Sequence, residues 1–490
     1  MRNGLNDTKK ESEMTKDLRS KPDKKVRISR ERLVSLCVFL LIAFFLGSGC
    51  VHYPINEPVK EIDPKGGYRA SQVKDPENSD DLLLFLTFSG GGTRAAALSY
   101  GVLEELRNTE VVIAGKKRRL LDEVDGISAV SGGSFTAGYY GLFGDRIFQD
   151  FESKFLKKNI QGKLLLGVIN PINWFKLFSG TFGRSDLSAE YYDKHIFEGK
   201  TFGDMAARKG PIIVINATDM SYGTRVGFTQ YAFDLICSDL SRYPVARAAA
   251  ASSAVPMVLT PITLQNYAGT CGYKMPEGFE EMLKGRAVSE RQFYLANNLS
   301  AYLDSEKKRY IHLVDGGVAD NLGLRAILDR VMLRGSVWES IKGTPVEKVQ
   351  KVVLIVVNAE TETDKKWDKI ETIPPFGAMF SSYSSIAIER YNEETLALLK
   401  ESVRSWANEI RTERCKGETA SSEPGSCGDI NFYVVEVKFD ALRDEAERKY
   451  FKSLPTSFKL SSEQVDKLRD VAHRLLGESE EFQRLLRDLR

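Results

Sequence analysis

Apolar residues in the middle of the chain gather in short continuous runs rather than in strict alternation with polar ones. Leu82–Phe88 reads LLLFLTF, and a second run closes at Val130. Others lie at Ile212–Asn216, Ile311–Val314, Val352–Val357 and Phe432–Val437. Unbroken runs of this length are what strands buried on both faces show. Between them the spacing predicts helices over Ala95–Arg107, Leu322–Leu333 and Ile386–Ile410. Strands alternating with helices predict an α/β protein: a three-layer αβα fold around a mostly parallel central sheet. After Asp440 the helical patterns carry dense charge. They are expected as extra C-terminal helices, over 441–490, forming a solvated outer layer.

Two stretches depart from this pattern. Leu33–Leu46 is fourteen residues without a charge, followed by Gly47, Ser48, Gly49 and Cys50. A spanning helix needs about twenty apolar residues, so the run suits a signal-peptide core, and an uncleaved anchor is the alternative. The ending resembles a bacterial lipoprotein signal, which implies lipidation of Cys50 and attachment to a membrane of the cell envelope. The second stretch, Phe151–Phe182, contains LLLGVINPINWFKLFSG. It is too irregular for a span and too apolar for an exposed loop. Core helices are the favoured reading, and a cap lining an acyl-chain groove the other. The expected organisation is a basic leader with a lipoprotein-type signal at 1–49, a tether at 50–80 rich in proline and charge, a main α/β domain at 81–440 and the helical extension.

Charge narrows the partners. Residues 1–32 hold eleven Lys or Arg against six Asp or Glu, so the rest of a chain of net charge +2 is near −3. Without a basic surplus to neutralise phosphates, nucleic acid is an improbable partner. Beyond the signal stand Cys237, Cys271, Cys415 and Cys427. An even number in an exported chain permits two disulfides, with Cys237–Cys271 and Cys415–Cys427 as the chosen pairing among three. No C-x-x-C occurs and His52, His195, His312 and His473 are scattered, which argues against a zinc site.

Three groups could converge at strand ends. In VDGISAVSGGSFTAGYYG, Val124–Gly141, Ser131 follows an apolar run and precedes two glycines, the form of a strand, a sharp turn and a helix. Ser128 and Ser134 compete, but only Ser131 has small residues, Ala129 and Gly133, two places away on both sides. Gly90, Gly91 and Gly92 lie between a strand and a helix, where unhindered amides could stabilise an oxyanion. Asp315, in HLVDGGVADNLG, ends a strand beside Gly316 and Gly317 and could serve the serine as base. A triad through His473 or His312 is the rival; neither is well placed, one in a charged helix and the other in the same strand as Asp315.

SGGGTRA, AVSGGS and DGGVADN, in that order, resemble the three signature blocks of the patatin-like phospholipases, which share a Ser-Asp hydrolase fold with cytosolic phospholipase A2. ARAAAASSAVPMVLTPI, Ala246–Ile262, is similar to the family's alanine-rich segment ahead of its aspartate. The resemblance covers roughly residues 80–360. It implies Ser131 as nucleophile, Asp315 as base, Gly90–Gly92 as oxyanion hole, Arg94 in reach of a lipid phosphate, and hydrolysis of a lipid acyl ester without metal or cofactor. Ala95 and Ala129 stand where the family often has glycine. A catalytically silent lipid-binding protein, or a structural lipoprotein, is the alternative.

Overall fold

The structure, a computed structural model, describes residues 51–490 apart from 114, 286–288, 363–364, 417–427 and 429, and only Val34, Ser35 and Val38 of the first fifty. Cys50, Cys427 and all of the 33–46 run except those three residues lie outside the described residues. Residues 51–490 form one unit and the first fifty a separate one. Among the described residues no helix is long and apolar enough to cross a membrane.

Each apolar run is a strand. In chain order the strands are β1 Leu82–Phe88, β2 Glu110–Ile113, β3 Lys116–Arg119, β4 Val124–Val130, β5 Ile212–Asp219, β6 Arg225–Gly227, β7 Ile262–Gln265, β8 Tyr310–Asp315, β9 Lys351–Asn358 and β10 Asn431–Lys438. The principal helices are α1 Gly92–Asn108, α2 Gly132–Phe143, α3 Ile160–Ile169, α4 Pro171–Leu177, α5 Arg184–Tyr192, α6 Val245–Ser252, α7 Arg325–Arg334, α8 Phe376–Arg414, α9 Glu445–Lys452, α10 Ser462–Gly477 and α11 Glu480–Asp488. The central sheet runs β10-β9-β1-β4-β5-β8-β7, with β6 added on β5 and helices packed on it. β10, β9, β1, β4 and β5 are parallel. β8 is antiparallel to β5 and β7 to β8, so the sheet is mostly parallel, as expected, with one reversed end.

Three expectations need correction. Residues 51–80 are not a free tether: Tyr53, Tyr68 and Val73 are buried, Val59 donates its amide to the Cys237 carbonyl, and Arg69 forms a buried ion pair with Asp234 at 2.7 Å. The C-terminal helices are not an outer layer. On α10, Val465, Leu468, Val471, Ala472, Leu475 and Leu476 form one buried stripe that packs chiefly on α1. Each fully buried aliphatic side chain of that kind contributes about 1.5–3 kcal/mol of hydrophobic stabilisation before entropy is counted. Finally, Phe151–Phe182 divides: Phe151, Phe155, Leu156 and Ile160 enter the core, whereas α3 and α4 leave Leu165, Leu166, Ile169 and Ile172 in solvent.

Cys237 and Cys271 form the expected disulfide, across the α6 and β7 segment. Cys415 is disulfide-bonded as well.

Candidate active site

β4 ends at Val130, level with Asn216 of β5, and the next residue of β5, Ala217, is level with Asp315. The strand order therefore brings Ser131 and Asp315, 184 positions apart, to one point, and the Ser131 hydroxyl donates to Asp315 Oδ2 at 2.9 Å. β8 reaches that point from the opposite direction to β4. Two parallel strand ends, as the sequence suggests, are not what assembles the pair.

Ser131 sits at φ 48° and ψ −117° on the bend before α2, a conformation disfavoured for a residue with a β-carbon. Packing holds it there. A β-carbon on Gly132 would stand 2.0 Å from the Gly92 carbonyl oxygen, so only glycine lets the glycine loop and the serine turn approach this closely. Ser252, at the end of α6, fastens the turn: its Oγ accepts the Ser131 amide at 2.8 Å, donates to the Asn216 carbonyl at 2.6 Å and meets Ser134 Oγ at 2.9 Å. Ser134 is thereby engaged in structure. Ser128 is too, donating to the Gly323 carbonyl at 2.7 Å and accepting from Asn216 Nδ2 at 2.9 Å.

Asp315 is buried, and burial pushes its carboxyl up to about 6 against the pull of hydrogen bonds from the Gly317 amide and Ser131. Gly317 donates to Oδ1 at 2.8 Å, which leaves Oδ2 to the serine. Asp320 is a buried carboxylate five residues on, pushed up to about 7 by burial. Its oxygens accept the amides of Leu324 and Arg325 at 3.1 and 2.8 Å and so shape the turn into α7.

Of the three loop amides, Gly90's is engaged, donating to the Asn321 carbonyl at 3.0 Å. Those of Gly91 and Gly92, at the N-terminus of α1, have no acceptor among the described residues. Asn321 closes the block DGGVADN, so the aspartate block itself positions the glycine loop. Buried donors beside a strained, hydrogen-bonded serine suit a developing oxyanion.

Residues 86–328 match the model of the Patatin family, patatin-like phospholipase. Over these residues the chain belongs to this family. Among curated proteins, none matches. Among solved structures, human GIVD cytosolic phospholipase A2 is similar at 13% identity and a TM-score of 0.42, over 84% of this chain and 62% of that one. The same human enzyme in complex with methyl gamma-linolenyl fluorophosphonate gives 12% identity and a TM-score of 0.39, over 86% and 61%. The chain thus spans less than two thirds of the length of these structures.

In this patatin-like chain Arg94 is not where a lipid phosphate could meet it. Its guanidinium is buried and donates to the carbonyls of Ala359 (3.0 Å) and Leu454 (2.5 Å) and to Thr456 Oγ1 (3.1 Å), and burial lowers its pKa to about 10. It ties the glycine loop to the segment ahead of α10, where the Ser457 carbonyl also accepts the Thr93 amide at 2.9 Å. The histidines are engaged elsewhere, His312 with Thr263 Oγ1 and His473 with Glu104 and Glu105. Sequence reading missed Ser252, Asn216 and Asn321 as site-builders. Ser252 and Asn321 lie inside blocks already singled out, and a polar residue amid glycine and alanine was the available signal.

Proposed function

We propose that the chain is a serine-dependent lipid acyl hydrolase, acting on the carboxylic ester of a phospholipid, lysophospholipid or related lipid. The observation that carries this is the hydrogen bond from the strained Ser131 to a buried Asp315. With a pKa of about 6 the carboxyl is roughly 90% ionised at pH 7 and able to accept the serine proton. Ser131 Oγ attacks the ester carbonyl as its proton passes to Asp315, and the Gly91 and Gly92 amides receive the oxyanion. Asp315 returns that proton to the leaving alkoxide, which departs as the alcohol. Water then attacks the acyl-enzyme, giving its proton to Asp315 and from there to the departing serine oxygen.

Purified protein tested on a panel of lipid esters should release fatty acid and be labelled by a fluorophosphonate. Ser131→Ala and Asp315→Asn should each lower turnover by at least about 1000-fold, and chelator should have little effect. The pH profile of kcat/KM should rise through about pH 6 and then level off. Full activity in Ser131→Ala, or a flat profile from pH 5 to 8, removes the proposal.

The same reading has the protein held at a membrane of the cell envelope through a lipidated Cys50. Mass spectrometry of the membrane-extracted chain checks this, and an unmodified N-terminus upstream of Leu33 rejects it.

A further inference from the structure

α3 and α4 form a hairpin whose outer face is apolar. Leu165, Leu166 and Ile169 share one face of α3 by helical spacing, and Ile172 and Trp174 continue it on α4. Leu166 is 62% and Ile172 77% exposed. These are not frayed ends. Asn159 caps α3 by accepting the Gly162 amide at 2.8 Å, and Asn170 caps α4 with Pro171 in its first turn. Asn173 Nδ2 and Trp174 Nε1 donate to the Gly167 and Val168 carbonyls at 2.7 and 3.1 Å. The corner is thus locked with its apolar side chains outward, an arrangement that soluble surfaces avoid unless something covers it.

Charge and chain path say what covers it. From 157 to 184 the chain holds five Lys or Arg and no Asp or Glu. Lys158 and Lys163 have no ion pair among the described residues, and with Lys194 they oppose protonation of His195, secondary to its burial. The carbonyl of Val51 accepts hydrogen bonds from Ser179 and, at 3.2 Å, from Thr181, just past α4. Val51, where the larger unit begins, is therefore fixed beside the hairpin. Met257 and Val258 expose further apolar surface, and the Met257 carbonyl accepts from Arg184 at 3.2 Å. Their loop begins at Ala254, whose carbonyl accepts the Asp315 amide at 3.0 Å.

We propose that the α3–α4 hairpin, with Met257 and Val258, is a lipid-docking surface that lies in the headgroup and acyl boundary of an anionic bilayer and turns the Ser131 site toward it. Apolar side chains ringed by lysine are suited to that boundary. A second copy, or the leader itself with its surplus of five positive charges, would set like charges together. The docking stands without the hydrolase reading; only its use in catalysis rests on it.

The test uses the full chain with vesicles of phosphatidylcholine and phosphatidylglycerol carrying brominated acyl chains, which quench tryptophan inside the bilayer. Quenching is expected in the native chain, and its Trp174 part should vanish in Trp174→Phe. Combined Leu165→Ser, Leu166→Ser, Ile169→Ser and Ile172→Ser should lose the Trp174 quenching. The same variant should slow hydrolysis of vesicle lipid by roughly tenfold, leaving a monomeric short-chain ester unaffected. Lys158→Glu with Lys163→Glu should weaken quenching on anionic vesicles only. Quenching without hydrolysis of any ester keeps the docking and removes the hydrolase reading. The proposal is overturned if Trp174→Phe leaves the quenching unchanged, if the four-fold serine variant turns a dimer into a monomer, or if Trp174 becomes quenched only after removal of residues 1–49.

Discussion

The two ends of the sheet are built from different material. β1, β4, β5, β9 and β10 are seven or eight residues long and mostly apolar. β6, β7 and β8 have three, four and six residues, and β7 alternates buried and half-buried positions. The parallel part supplies the serine and the reversed part the aspartate, so the site lies on the seam where the sheet changes direction. A seam of this kind is sterically demanding. A β-carbon on Gly316 would meet the Asn216 carbonyl at 2.2 Å, and Thr218 Oγ1 donates to the Asp315 carbonyl at 2.8 Å to hold β8 against β5. The parallel part gains stability from buried aliphatic area, whereas the reversed part gives some up to keep a carboxylate in a buried place.

That difference predicts the largest stability effect outside the core. Between pH 4 and 6 native Asp315 holds its proton while an ordinary carboxyl in the unfolded chain loses it. Ionising it therefore costs native stability as pH rises through that window, and the cost is complete above it. Replacing it by Asn, which can still accept the Gly317 amide, should raise stability at pH 7.5 by about 3 kcal/mol, two pKa units at 1.36 each. The gain should fall toward zero near pH 4. Urea melts at the two pH values measure it, and a gain independent of pH contradicts the idea that charge burial is the cause.

A smaller effect belongs to the clasp across the seam. Ser252→Ala leaves the Ser131 amide and the Asn216 carbonyl without their shared partner, a loss worth about 1–3 kcal/mol. Because the turn that carries Ser131 loosens, kcat should drop by roughly ten- to thirtyfold with KM nearly unchanged. A rise in KM with constant kcat would instead make Ser252 part of the substrate pocket.

How far the sequence revealed all this also follows the seam. The long apolar runs marked the parallel strands within a few residues, and the small neighbours of Ser131 singled it out from Ser128 and Ser134. β6 and β7 were invisible, because three or four residues of mixed polarity between loops carry no period. The direction of β8 is a property of pairing and not of its own residues. Arg94 misled because a basic residue after a glycine loop looks the same whether it faces a ligand or is buried, and its partner Leu454 is 360 positions away. On α10 dense charge concealed a stripe at helical spacing that was present in the sequence. The α3–α4 run was read as core from its composition, although its lysines and the break at Asn170-Pro171 pointed outward.

The smallest effect expected is at His473, and it separates the dyad from a triad. This residue sits on α10, where hydrogen bonds to Glu104, opposed by burial, and then to Glu105 raise its pKa above the usual histidine value. Its charge therefore stabilises the fold fully below the ordinary histidine pKa, and the contribution fades as pH rises through the raised one. His473→Ala should cost under about 1 kcal/mol at pH 6, as partly exposed ion pairs do, and less at pH 9. Neither glutamate partner touches Ser131 or Asp315, so kcat on a lipid ester should stay within about threefold of the parent enzyme at pH 8, where a triad histidine would be most needed. Loss of activity comparable to that of Asp315→Asn, in a variant still folded by circular dichroism, would move the base from the reversed end of the sheet to the C-terminal helices.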